Sequence, residues 1–216
     1  MLKTIFTSAL ILISMVSIGQ DNIRKATKIL NQVSRSYKNA KSLKANFEMQ
    51  ILEPGSKKPT TEKGSLYIKG DNFKVEMSTV DIICDGSTQW YYMKDVNEVQ
   101  ITTYDAKTQE ISPNNIFTMY DKGFKSIWVE EKNVKGRMLD VLELVPKANQ
   151  ERKEYTKVKL TIDRVAKEIV QSEIFFRSGR NMKYFVTQQI RNINLASNFF
   201  SFDPTKKPGI VVVDLR

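Results

Sequence analysis

What most constrains the fold of this chain is a change of period at Leu43. From there apolar residues recur at every second position. Leu43, Ala45, Phe47, Met49 and Ile51 alternate with Lys44, Asn46, Glu48 and Gln50. A period of two sends one set to each face of a strand, here one apolar and one wet. The pattern continues through 64–69 and then through Phe73, Val75 and Met77, with a tight turn at Gly70-Asp71-Asn72 between them. Further strands are expected at 80–84, 89–93, 98–103, 127–131, 138–145, 155–162, 168–176, 182–190 and 210–213, with Asp85-Gly86 as a hairpin turn. Strands so evenly spaced predict one antiparallel meander that curves into a barrel-like or half-barrel sheet.

Before Leu43 the period is helical. Ile23, Ala26, Leu30, Val33 and Tyr37 recur at three and four residues over about 21–40, opposite Arg24, Lys25, Lys28, Arg35 and Lys38. This amphipathic helix either packs on the domain or acts as a lid or membrane-facing element. A second, short helix is expected after Ser112-Pro113-Asn114-Asn115, crowded with Ile116, Phe117, Met119 and Tyr120 and ended by Gly123. At the start, Lys3, an apolar run and the small residues Ser17 and Gly19 read as an export signal over 1–19, cleaved before Gln20. An uncleaved anchor is the alternative. Residues 20–216 then make a single domain, which suits a chain of 216 residues. The expected location is the periplasm in a Gram-negative cell, otherwise the outside.

The residue inventory closes off most chemistry. There is no histidine, which removes Ser-His-Asp and Cys-His nucleophiles and most zinc sites. The single cysteine, Cys84, sits in an apolar run and is expected as a buried thiol. Glu130, Glu131 and Asp140 read as solvated strand-end charges, and no glycine spacing fits a phosphate loop. No catalytic residue, metal or cofactor is expected, and the chain does not read as an enzyme. The net charge of +10 favours anionic surfaces or solubility. The basic residues are too dispersed for nucleic-acid binding. What remains is apolar strand face in excess of what two helices cover. That surplus implies a cavity, a partner or a ligand, unless the sheet closes over an ordinary core.

Four segments in this order resemble the periplasmic lipoprotein carrier LolA family over nearly the whole exported chain. They are the helix running into Tyr37-Lys38-Asn39-Ala40-Lys41-Ser42-Leu43; Gly64-Ser65-Leu66-Tyr67-Ile68-Lys69 before Asn72-Phe73; Asp85-Gly86 followed by Gln89-Trp90-Tyr91-Tyr92; and Phe200-Ser201-Phe202-Asp203-Pro204 before Pro208-Gly209. The resemblance implies an α+β, mainly β fold: an incomplete antiparallel barrel of about eleven strands with helices as a lid over an apolar cavity. It implies a monomeric carrier that takes triacylated lipoproteins from an inner-membrane lipoprotein-releasing transporter to an outer-membrane acceptor. The alternative is an interaction module of the same fold that binds a protein partner or free lipid.

Transport of this kind needs shielding, since exposing an acyl chain costs about 0.8 kcal/mol per CH2. Three chains of roughly 16 carbons reach on the order of 30 kcal/mol or more. An adaptable lining of Phe, Met and aliphatic side chains suits such cargo. The alternation offers Phe47, Met49, Leu66, Ile68, Phe73, Val75, Met77, Trp90 and Tyr92 as cavity residues, with Tyr91 and Met93 competing for the last two places. The lid candidates are Leu30, Val33, Ile116, Phe117 and Met119. Where familiar members carry a lid-closing arginine after the second long strand, this chain reads Lys69-Gly70-Asp71. Lys69 lacks the planar guanidinium fork.

Overall fold

A computed structural model describes residues 3–105, 117, 120, 123–147, 154–196 and 198–216, with only the backbone course for 3–18. Helix α1 (Lys3–Lys38) precedes strands β1 (Leu43–Leu52), β2 (Thr60–Lys69), β3 (Asn72–Met77), β4 (Val80–Cys84), β5 (Thr88–Met93) and β6 (Glu98–Thr103). Then come β7 (Phe124–Val134), β8 (Arg137–Pro146), β9 (Tyr155–Asp163), β10 (Glu168–Phe176), β11 (Asn181–Arg191) and β12 (Val211–Asp214). The α1 helix runs unbroken through the expected boundary at Gly19 and Gln20. Among the described residues no helix is long and apolar enough to cross a membrane.

All twelve strands form one open sheet, ordered β12-β6-β5-β4-β3-β2-β1-β11-β10-β9-β8-β7. Two meanders, β1–β6 and β7–β11, join where β1 pairs antiparallel with β11. The expected last strand at 210–213 is β12, which adds to the β6 edge in parallel and makes the total twelve, one more than the resemblance implied. The second expected helix falls mostly outside the described residues, Ile116 and Met119 among them.

Cross-strand pairs fix the inner face. Leu66 opposes Ala45 and Val75, and Val75 opposes Ile82. In the other half, Leu142 opposes Leu160 and Leu144 opposes Val158. Directly opposed residues share a face, so these side chains all point inward. Helix α1 lays Ala26, Leu30, Val33 and Tyr37 into the same core, and all four are buried. Its main strand contacts are with β7 and, less, β10.

Two ties hold the helix there. At its C-terminal end the Tyr37 hydroxyl donates to Gln189 Oε1 at 2.6 Å and accepts from the Ile169 N–H at 3.1 Å. Gln189 Nε2 donates to the Ile169 carbonyl at 2.9 Å, closing the loop of bonds. Earlier on the helix, Lys25 Nζ sits 3.3 Å over the Trp128 ring. The Trp128 indole N–H donates to Asp140 at 2.8 Å, and Arg164 Nε donates to the same carboxylate at 2.9 Å. Asp140 is therefore not the solvated charge its strand-end position suggested: it is 1% exposed. Burial pushes its carboxyl up, but the bonds from Arg164 and Trp128 outweigh that and hold it below the usual range. Cys84 is buried as expected, and burial raises its thiol to about 11.

Candidate functional site

The helix shelters the inner face of the second meander and leaves that of the first partly bare. There the structure holds a cavity of about 240 Å3. One wall is Ala45, Phe47 and Met49 on β1 with Leu66 on β2, Val75 and Met77 on β3 and Ile82 on β4. The other is Ile169 and Ser172 on β10 with Tyr184 and Val186 on β11, and Phe117 and Tyr120 also line the hollow. The two walls meet at the β1–β11 seam, where Phe47 opposes Val186 and Met49 opposes Tyr184. Phe47 and Tyr184 meet edge to face, their ring centroids 6.2 Å apart.

Gly64 shapes the floor. It lies directly between Phe47 on β1 and Met77 on β3. A Cβ at this position would stand 2.5 Å from Phe47 Cζ and 2.8 Å from the Glu76 carbonyl oxygen. Only a glycine lets the phenyl ring lie against the strand here. The ring thus replaces the side chain that β2 lacks.

The lining is apolar with few exceptions. Tyr120 Oη and Ser172 Oγ are 3.5 Å apart inside the hollow, in reach of one long hydrogen bond in which either hydroxyl can donate. Burial pushes the Tyr120 phenol up to about 12 and the Tyr184 phenol upward as well. Among the described residues, no charged side chain lines the cavity. Phe117 stacks on Tyr37 with centroids 4.5 Å apart and planes 16° from parallel, so this wall is anchored on helix α1.

The structure gathers five of the expected cavity residues, Phe47, Met49, Leu66, Val75 and Met77, with Phe117 of the expected lid. Phe73 shares their face but is wholly buried, edge-on to Tyr104 at 5.4 Å. Ile68 lines a separate cleft beyond Phe117, between the end of α1 and the β2–β3 turn. Leu30 and Val33 are core residues beneath the helix.

Trp90 and Tyr92 are placed elsewhere. Trp90 opposes Ile83 and Ile101, and Tyr92 opposes Asp81 and Val99, all on the outer face. There the C-terminal segment covers them with Phe202 and Ile210, forming a second small core. Tyr91 and Met93 take the inward parity. Lys69, where the resemblance places the family arginine, reaches the Leu195 carbonyl at 3.4 Å and so bonds the segment after β11. The sequence reading missed Ala45, Ile82, Tyr120, Ile169, Ser172, Tyr184 and Val186. Ala45, Ile82, Tyr184 and Val186 sit in visible alternations; Ile169 and Ser172 are related only through a bulge in β10.

An open half-barrel with a helix laid along it and an apolar hollow on its inner face defines a class of protein shaped to enclose apolar groups. The sequence model described as outer membrane lipoprotein carrier protein LolA matches residues 38–203, and the chain belongs to that family. It is also similar to an uncharacterized protein of Methanocaldococcus jannaschii, 29% identical over 159 residues, or 70% of this chain and 46% of that one. The chain thus spans about half the length of that curated relative. Among solved structures it resembles an uncharacterized conserved protein of Thermus thermophilus, with TM-score 0.58, 13% identity and coverage of 88% and 99% of the two chains. The lipoprotein LppX of Mycobacterium tuberculosis gives TM-score 0.53 and 8% identity, over 80% and 99%. Both likenesses are of fold.

Proposed function

We propose that this protein is a periplasmic carrier that shelters lipoprotein acyl chains in the hollow between β1–β4 and β10–β11 on their way from the inner to the outer membrane. The observation that carries the reading is the lining itself: Phe, Met and aliphatic side chains, with no charged group among the described residues, in a chain of the LolA family. Such walls gain from burying hydrocarbon without demanding one shape. On this reading residues 1–19 direct export. The work is binding and release rather than catalysis, with a releasing transporter at one membrane and an acceptor at the other.

The cavity volume says how loading must proceed. About 240 Å3 lies below the roughly 300–1,000 Å3 of ordinary ligand pockets. On this reading the hollow as it stands accepts part of one chain at most. Fuller loading requires Phe117 to leave Tyr37, which widens the hollow toward the helix. The test is mass spectrometry of the protein isolated from its own periplasm. A co-purifying acylated polypeptide supports the proposal. Protein that carries no acylated species, and that also fails to bind an apolar fluorescent probe, refutes it.

A further inference from the structure

A basic surface with apolar tips stands at one end of the molecule, outside the cavity. On α1, Arg24, Lys28, Asn31, Arg35 and Lys38 recur at four and three residues, so they share the face turned away from the buried stripe. The four basic members are exposed, and the row spans about 21 Å at 1.5 Å per residue. The acidic residue on this part of the helix is Asp21, at its start.

Two hairpin turns stand beside this helix. The β7–β8 turn exposes Val134 (46%) next to Lys135, and the β9–β10 turn exposes Val165 (83%) between Arg164 and Lys167. They are neighbours: the Arg164 N–H bonds the Met138 carbonyl at 3.1 Å, and Arg137 Nε bonds Asp163 at 2.8 Å. Contacts from Lys25 to Trp128, from Trp128 to Asp140 and from Asp140 to Arg164 tie both turns to the helix. The acidic residues at this end are paired: Asp140 and Asp163 are buried against Arg164 and Arg137, and the half-exposed Glu131 is held by Arg164, so the outward charge comes from the helix row with Lys135 and Lys167. What faces outward is a set of cations with two protruding valines.

We propose that this end of the molecule, formed by the outer face of α1 and the β7–β8 and β9–β10 turns, docks on an anionic phospholipid surface. Lysines and arginines meet the headgroups there, and Val134 and Val165 dip below them. An extended row of one sign without a pocket suits the delocalised field of a lipid surface better than a shaped protein site. Val165 at the tip of its turn gains almost nothing from the fold, and Val134 at the end of β7 keeps about half its surface open, so both gain burial in such a contact. The proposal stands apart from whatever the cavity carries.

The test is vesicle flotation with the protein as its own cells produce it. Partition onto phosphatidylglycerol-containing vesicles is compared with pure phosphatidylcholine, at low and high salt. Lys135 and Lys167 have φ of 52° and 55°, a region asparagine tolerates, so Lys135→Asn with Lys167→Asn removes two charges without straining the turns. Near an anionic surface each lysine is worth about fivefold in affinity, so the pair should weaken phosphatidylglycerol binding about 25-fold. Val165→Ser should weaken it about tenfold. The circular dichroism of both variants should match wild type, and wild-type binding should fall with salt. Equal partition onto the two vesicle types overturns the proposal, as does unchanged binding by both variants. Retention on an acidic protein matrix without phosphatidylglycerol binding overturns it too, and assigns the surface to a protein partner.

Discussion

Replacing Gly64 with alanine tests how the cavity floor is built. In most strands this change is favourable, since glycine costs roughly 0.5–1 kcal/mol relative to alanine through backbone entropy. Here the sign should reverse. The new methyl would stand 2.5 Å from Phe47 Cζ and 2.8 Å from the Glu76 carbonyl oxygen, whereas ordinary contact begins near 3.4 Å. The phenyl ring must retreat by about 1 Å into the hollow, and the carbonyl cannot move without disturbing the pairing of β2 with β3. Overpacking of this kind costs about 1–3 kcal/mol, leaving a net loss of about 1–2 kcal/mol after the entropic gain. Urea unfolding followed by tryptophan fluorescence reads it as a lower midpoint with an unchanged slope. Adding Phe47→Leu relieves the ring contact but not the carbonyl contact. The double variant should therefore recover part of the coupling, on the order of 0.5–1 kcal/mol, and not all of it. A Gly64→Ala protein as stable as wild type, or more so, would refute the argument that Phe47 fills the place of the missing side chain.

Three other expectations follow from the same contacts. Met77→Glu places a carboxylate in the apolar hollow and should abolish binding of an apolar fluorescent probe, whereas Trp90→Ala, on the outer face, should leave it unchanged; probe titration of both checks the assignment of faces. Tyr37→Phe leaves the Ile169 N–H and Gln189 without their shared partner and should cost about 1–3 kcal/mol in a urea titration. Asp140 and Asp163 are held below the ordinary carboxylate range, since their hydrogen bonds outweigh burial. Their contribution is therefore complete above an unfolded-state value of about 3.9 and is lost as pH falls through the lower folded values. Unfolding midpoints should drop below about pH 4, and less steeply for Asp140→Asn, which is already weakened at pH 7.

The sheet was legible because alternation is a local property. Residues 43–51 carry their inward set openly, and so do Phe73, Val75 and Met77. The pattern fails at Trp90-Tyr91-Tyr92-Met93, where both faces are apolar although only the outer one is well covered, Tyr91 staying exposed. Trp90 and Tyr92 lie under Phe202 and Ile210, and Tyr91 and Met93 point inward. No alternation can choose between faces that are equally greasy. Asp140 escaped for a different reason. Its partners Trp128 and Arg164 lie 12 and 24 positions away and come together only through the β7–β8–β9 pairing. The β10–β11 wall was hidden by distance as well: Phe47 reaches Val186 across the whole domain, beside a bulge that shifts register.

Why a hollow exists at all follows from dimensions. A helix with its side chains is about 10–12 Å across, and neighbouring strands lie about 4.8 Å apart, so one helix shadows two to three strands. Helix α1 lies against the β7–β10 half, and Leu142, Leu144, Leu160 and Ile162 are fully buried there. Among the described residues the inner face of β1–β4 receives no comparable helix, and Phe117 and Tyr120 come over it from the connection between the meanders. Hydrocarbon entering the hollow would compete with Phe117 for the same wall. Each 100 Å2 of apolar surface it buries is worth about 2.5 kcal/mol, and the Phe117–Tyr37 stack it displaces is worth about 0.5–1.5 kcal/mol beyond its area. On the proposed reading these opposed terms let one contact limit both capture and release. A carrier needs that balance, since walls that closed without competition would hold their cargo too long.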